Sequence, residues 1–198
     1  MTDRPFFWRD LADMEDGEKT PELIDQALSQ SGLALQYVPE DLISCDMCLR
    51  AVRNCGYALQ YVPVRFLSRE LCLIAASRES YVIEMVPKEF VDQDFYNAMI
   101  DENCASVSYI PEKELTREHC LKAVKRNGYL LGVIPKKFVD AELCQEAVNQ
   151  EPDALQHVPA ELLTRELVDP IVRHDPSMLS IVHRKDCRDR LRELGYDV

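Results

Sequence analysis

Apolar residues along this chain come in bursts, and the bursts return every 24 residues. Within a burst they run as Met47, Cys48, Ala51 and Val52, or as Leu143, Cys144, Ala147 and Val148. Steps of three and four place such residues on one face of an α-helix. Each burst is preceded by a residue that opens helices: Thr20, Ser44, Ser68, Asp92, Thr116, Asp140 and Thr164. Their side-chain oxygens accept hydrogen bonds from N–H groups that the first helical turn leaves unpaired. Two residues on stands an acid in every copy (Glu22, Asp46, Glu70, Asp94, Glu118, Glu142, Glu166), where the helix dipole favours negative charge. The pattern predicts a first helix of about ten residues. Gly32, Gly56 and Gly128 read as its C-terminal caps, glycine tolerating the positive φ that such caps adopt.

A second, shorter helix follows, as in Tyr57–Val62, and proline ends it, because the residue before proline is driven out of the helical region. Those prolines are Pro39, Pro63, Pro87, Pro111, Pro135 and Pro159, each 24 residues from the next. Pro63–Leu67 reads as one more turn with Phe66 and Leu67 packed inward. Leu35, Leu59, Ile83, Val107, Leu131, Leu155 and Leu179 form an aliphatic column through all copies. Val38, Val62, Val86, Ile110, Ile134, Val158 and Val182 form another. A fixed period of this length is the signature of units that bury their apolar faces by stacking on one another. The predicted fold is all-α: an α-solenoid of seven 24-residue helix–turn–helix repeats over residues 20–187. Residues 1–19 form an N-terminal capping segment, with Phe6, Phe7, Trp8 and Leu11 covering the first repeat or displaying an aromatic patch. Residues 188–198 form a C-terminal capping helix through Leu191 and Leu194. The last copy degenerates, with His183 at the proline position and Asp186 and Cys187 replacing the apolar pair, as an end unit facing water must.

The phrases LCLRAV…GYALQYVP and HCLKAVKRNGYLLGVIP resemble a bacterial family of short helical repeats, domain of unknown function 4116. The likeness runs from residue 20 to about 185. It implies a bacterial helical-repeat protein, of a kind found in host-associated bacteria and in effector-like proteins. The family defines no catalytic residues, so none carries over. The fourth copy departs most, with Tyr96, Met99 and Cys104 where Cys, Ala and Gly are expected; a local bend or a specialised face is expected there.

With 46% apolar residues the chain has ample material for a core, and no apolar run approaches the length of a membrane span. The first residues are acidic and lack a signal core, so cytoplasmic residence is the default reading. Export by a route that uses no such peptide stays open. A net charge of −12 argues against direct nucleic-acid binding, whose affinity comes from Lys and Arg neutralising phosphates. The charge is unevenly spread: Asp92–Leu115 carries six acids and one base, Thr116–Val139 six bases and one acid, Asp140–Leu163 six acids and no base. Such blocks attract where units stack. The basic group Arg117, Lys122, Lys125, Arg126, Lys136 and Lys137 reads as a solvated face or a partner for its acidic neighbours.

Four of the eight cysteines, Cys48, Cys72, Cys120 and Cys144, share one repeat position on the inward helix face. Neighbouring helices lie about 8–10 Å apart. A disulfide needs Cα atoms within about 7 Å, and zinc needs sulfurs about 2.3 Å from one ion. These thiols therefore read as small buried hydrophobes, and no metal or cofactor is expected. Cys45 and Cys48 form a C-x-x-C at a helix start, where a thiolate would be stabilised, but Cys48 belongs to the core column. His183 and Cys187 lie one helical turn apart, a weak metal pair. His119 and Cys120, adjacent on a helix, point about 100° apart and make no dyad.

One row stands out as candidate recognition surface. Tyr37, Tyr61, Tyr109 and His157 share a position on the second helix, beside Gln36, Gln60, Ser108 and Gln156. Tyrosine is enriched at interfaces; the alternative is that the rings wedge between units with their hydroxyls at the surface. The leading expectation is a non-catalytic module binding another protein, as adaptor, effector module or inhibitor. Two alternatives stand beside it: a thiol-dependent enzyme or redox sensor using Cys45 and Cys48, and an acidic mimic of nucleic acid that blocks a DNA-binding protein.

Overall fold

A computed structural model describes residues 5–198; residues 1–4 of the expected N-terminal cap lie outside the described residues. Among those described, every regular element is helical. Seven ten-residue α-helices repeat at the expected interval: α1 (Pro21–Gln30), α2 (Cys45–Asn54), α3 (Arg69–Arg78), α4 (Gln93–Glu102), α5 (Arg117–Arg126), α6 (Ala141–Gln150) and α7 (Arg165–His174). A shorter α8 (Lys185–Glu193) ends the chain. The residue before each of α1 to α7 is the predicted cap. Its side chain accepts a backbone N–H three residues on, from 3.4 Å at Thr20 to 2.7 Å at Asp92. Such a cap contributes about 1 kcal/mol.

The second helix of each repeat is a six-residue 3₁₀ helix, beginning with Gly32–Tyr37 and Gly56–Tyr61 and recurring as Gly128–Val133 and Pro152–His157. Three residues per turn explain its burial. Gly32, Leu35 and Val38 line up toward the core with Ala34 buried beside them, Tyr37 and Leu33 are half-buried, and Gln36 faces outward. A further buried column, which was not expected, runs beside these: Ala34, Ala58, Val82, Ser106, Leu130 and Ala154. Where Val82 takes the core, Ile83 of the predicted column is only half-buried. The post-proline segment is a single 3₁₀ turn in several repeats (Val64–Phe66, Lys88–Phe90, Lys136–Phe138, Ala160–Leu162), and Phe66 and Leu67 are half-buried.

The glycines act differently from the expectation. None of Gly32, Gly56 and Gly128 has a positive φ; that geometry belongs to Gly195, at +94°. The helix ends instead at an extended residue (Ser31, Cys55, Asn127), and glycine opens the 3₁₀ helix. What it supplies is space. A Cβ on Gly32 would stand 2.1 Å from the carbonyl oxygen of Ala51, one on Gly56 2.6 Å from that of Ala75, and one on Gly128 2.2 Å from that of Ala147. Each glycine thus lets one repeat's backbone touch the next repeat's α-helix. The Gly32 and Gly128 N–H groups donate at 2.8 Å to the side chains of Asn54 and Gln150.

The chain packs as two compact units, Met1–Asn103 and Cys104–Val198. The division falls inside the fourth repeat, the one whose residues depart furthest from the others. In the first unit the N-terminal segment is half a repeat in register. The 3₁₀ helix Trp8–Asp13 stands 24 residues ahead of Gly32–Tyr37, and Leu11 is fully buried at the place of Leu35. Trp8 N–H donates to Gln30 Oε1 at 2.8 Å, as Gly32 does to Asn54. Phe7 faces outward. In the second unit α8 begins at Lys185, ahead of the expected Arg188. No proline precedes the turn, and Arg188 stands where a capping Ser, Thr or Asp would arrest the backbone, so turn and helix merge. Cys187 and Leu191 are buried, Leu194 half-buried.

Candidate functional site

In the first unit the polar–aromatic row is divided between two environments. Tyr37 stacks on Trp8, their ring centroids 6.1 Å apart and planes 29° from parallel. Tyr61 instead joins Gln36 and Gln60 around a shallow depression of about 430 Å³ between the ends of the 3₁₀ helices Gly32–Tyr37 and Gly56–Tyr61. Leu35, Val38, Ile43 and Val62 form its floor, and Val64, 84% exposed, stands on its rim. Both glutamines turn their amides back on their own helix: Gln36 Nε2 donates to Leu33 O at 2.9 Å and Gln60 Nε2 to Tyr57 O at 3.1 Å. One donor of each amide is thereby used, and Tyr61 and Val64 supply the accessible apolar surface.

In the second unit Tyr109 is 48% exposed and Val133, at the equivalent position one repeat on, is 53% exposed. His157 is half-buried, its ring packed over Gly132 so closely that a Cβ there would meet Nδ1 at 2.8 Å. That burial lowers the imidazole pKa from its ordinary value. Gln156 and Ser108 fold back like the other polar members, donating to Asp153 O at 3.1 Å and Ala105 O at 2.6 Å.

A second tyrosine row escaped the sequence reading. Tyr57 and Tyr81 are exposed in the first unit, their centroids 6.4 Å apart. Tyr129 is exposed in the second, its hydroxyl donating to Asp153 Oδ2 at 2.8 Å. That bond, with partial desolvation, pushes the phenol up to about 12. The signal was present, since position 57 recurs as 81 and 129 and lies across the helix from the Leu59 and Val62 columns.

The cysteine column is buried as a core column. Cys48, Cys72, Cys120 and Cys144 have no exposed surface, and burial pushes their thiols up, to about 11 in the first three and about 12 in Cys144. Next to Cys48, Cys45 is exposed, and its charge would raise the Cys48 value further. All eight cysteines are free thiols. Cys187 is buried against the Val158 carbonyl at 3.5 Å, whereas His183 is exposed. Among the described residues no three His, Cys, Asp or Glu side chains gather to hold a metal.

The basic repeat of the second unit pairs with its acidic neighbours. Arg117 binds Asp140 at 2.7 Å and also Glu142, Lys137 reaches Glu112 at 2.9 Å, and Lys125 approaches Glu146 at 3.8 Å. Arg117 and the N–H of Leu143 together hold Asp140 below the usual carboxylate range. The first unit uses the same device, Arg50 to Asp25 and Arg69 to Asp92, both at 2.7 Å.

The family described as Domain of unknown function (DUF4116) matches residues 20–67, 44–91 and 116–163, more than half of the chain. This chain belongs to that family. The matches pair the first with the second repeat, the second with the third, and the fifth with the sixth. Glycine meets an alanine carbonyl in the same three pairs, so the family pattern and the close backbone approach coincide. The fourth repeat, with Tyr96, Met99 and Cys104, lies between the DUF4116 matches. No curated protein and no solved structure matches the chain. Among the described residues no helix is long and apolar enough to cross a membrane.

Proposed function

We propose that this DUF4116 protein is a non-catalytic helical-repeat module that binds another protein, in a bacterium, as adaptor, effector module or inhibitor. The observation that supports it is the depression around Tyr61 and Val64 in the first unit. A stacked fold buries its aliphatic residues readily, yet here a valine 84% exposed and a half-buried tyrosine border a concave apolar floor. Clustered exposed apolar groups rimmed by polar ones suit a macromolecular partner. The repeated framework devotes its buried positions to stacking, and its inward thiols have raised pKa values, the reverse of what a nucleophile requires.

The test is affinity capture with mass spectrometry from the native cell, followed by binding of the recovered protein to Tyr61→Ala and Val64→Glu. Each substitution is expected to weaken binding at least about tenfold, the effect of losing a central interface residue. Unchanged affinity in both variants refutes the assignment. So does turnover of a small substrate by a chain that recovers no macromolecule.

A further inference from the structure

The end of the second unit forms a cavity that does not come from the stacking of repeats. α8 stops at Glu193, and Gly195, at φ +94°, takes the chain into the left-handed region that glycine tolerates. The two bonds of a helix-ending reversal follow: the Gly195 N–H donates to Arg192 O at 2.9 Å and the Tyr196 N–H to Leu191 O at 3.0 Å. The reversed tail is then tied down. The Tyr196 hydroxyl donates to Asp169 Oδ1, and Arg192 donates to Val198 O through Nη2 at 2.8 Å and Nε at 3.1 Å. Asp197, between these anchors, joins the 3₁₀ helix Pro176–Ile181 and Arg188 of α8 around a cavity of about 350 Å³.

Both signs of charge line this cavity. Arg188 and Asp197 border it without pairing with each other, and among the described residues neither side chain has a hydrogen bond or ion pair to any other group. The Ser180 hydroxyl and the His183 imidazole, also at its wall, are equally unengaged. The other arginines of this segment are used: Arg184 pairs with Asp186, Arg190 with Glu193 and Arg192 with Asp189. Two of the four unengaged residues break the repeat pattern. His183 stands where six repeats carry proline, and Arg188 where all seven open a helix with Ser, Thr or Asp. Leu179 and Val182, both buried, form the apolar floor beside Pro176.

We infer that this cavity binds a free α-amino acid with an aliphatic side chain. Two opposite charges that border one hollow without meeting match a ligand that carries both. The Arg188 guanidinium meets the carboxylate with its parallel N–H groups, and Asp197 accepts from the ammonium group. Ser180 and His183 supply further hydrogen bonds. The aliphatic chain covers Leu179 and Val182 and displaces water from them. Small-molecule sites run from about 300 to 1,000 Å³, so a cavity at the lower end suits a ligand of this size better than a nucleotide. The site lies in the second unit and stands apart from the protein-binding reading, which rests on the Tyr61 surface of the first.

The test titrates the full chain with L-leucine, following the methyl resonances of Leu179 and Val182 and the amide of Asp197. Saturable shifts at these groups are expected. Isocaproate lacks the ammonium group of leucine and isoamylamine lacks its carboxylate, and each should bind about five- to tenfold more weakly, the effect of one charged contact in a partly open site. Glycine, with no side chain to cover the floor, should bind more weakly too. Arg188→Gln and Asp197→Asn should each weaken leucine binding by the same factor. Both side chains are exposed and without partners, so neither substitution removes a bond from the fold. A crossed readout assigns the charges: Asp197→Asn should bind leucine and isocaproate alike, and Arg188→Gln leucine and isoamylamine alike. No saturable shift with leucine, equal binding of either one-charge analogue by the unsubstituted chain, or full leucine affinity in either variant would overturn the inference. Shifts centred on Tyr109 and Val133 would overturn it as well.

Discussion

Replacing Gly32 by alanine should be among the most damaging single-methyl changes in the first unit. The new Cβ would lie 2.1 Å from Ala51 O, 2.9 Å from Ala51 C and 3.1 Å from Cys55 N, all backbone atoms of the next repeat. No rotamer relieves such a contact, so the two repeats must separate. Overpacking of this sort costs about 1–3 kcal/mol, and the upper end applies where backbone must move. Separation also strains the 2.8 Å bond from the Gly32 N–H to Asn54, worth about 1 kcal/mol. Against this, alanine reduces the freedom of the unfolded chain by about 0.4–1 kcal/mol, since φ at Gly32 is not positive. The net expectation is a loss of about 3 kcal/mol. Gly17, where an added methyl would meet nothing within 4 Å, is the control in the same unit, and Gly17→Ala should be neutral or slightly stabilising. Trp8, the single tryptophan, stacks on Tyr37 beside the perturbed contact and reports the first unit in urea unfolding. With an m-value of about 2 kcal/mol/M, the midpoint should fall by about 1.5 M in Gly32→Ala and hold or rise in Gly17→Ala. Equal midpoints for the two variants would refute the close-approach account. A Gly32→Asn variant as stable as the wild type would restore the left-handed cap that the sequence suggested.

Two further predictions concern charge and thiols. Asp140 has a folded pKa below its unfolded value, so its contribution is complete above the unfolded pKa and is lost as pH falls through the folded one. Unfolding of the second unit in acid should therefore become less steep in pH below about 4 in Asp140→Asn, measured by circular dichroism, and an unchanged profile would remove Asp140 from that role. In thiol titration of the native chain, exposed Cys45 should react first, while Cys48, Cys72, Cys120 and Cys144 should react only at the rate of unfolding. Rapid native reaction at Cys48 would favour the redox alternative.

The site was legible as far as local chemistry repeats, and no further. Helical spacing located the α-helices, their caps and the Leu35 and Val38 columns, because those depend on local chemistry repeated at a fixed interval. It located Tyr61, Gln36 and Gln60 as neighbours for the same reason. It missed the Ala34 column because its members (Ala34, Ala58, Val82, Ser106, Leu130, Ala154) vary from serine to leucine, and the outward Tyr57 row because tyrosine serves core and surface alike. It could not separate Tyr37, stacked on Trp8, from Tyr61 beside the depression, since one repeat position has different neighbours at the end of a stack and within it.

Sequence alone determined the period, the helix starts and the all-α repeat architecture, since capping oxygens, prolines and apolar spacing act over a few residues of chain. Tertiary structure alone decided why glycine opens the 3₁₀ helices, because the atom that excludes a Cβ at Gly32 belongs to Ala51, in the following repeat. It also decided which repeats meet in this way: the first with the second, the second with the third, and the fifth with the sixth. Local chemistry selects each unit's shape, while the distance between units is set by whichever pair of residues meets across the stack.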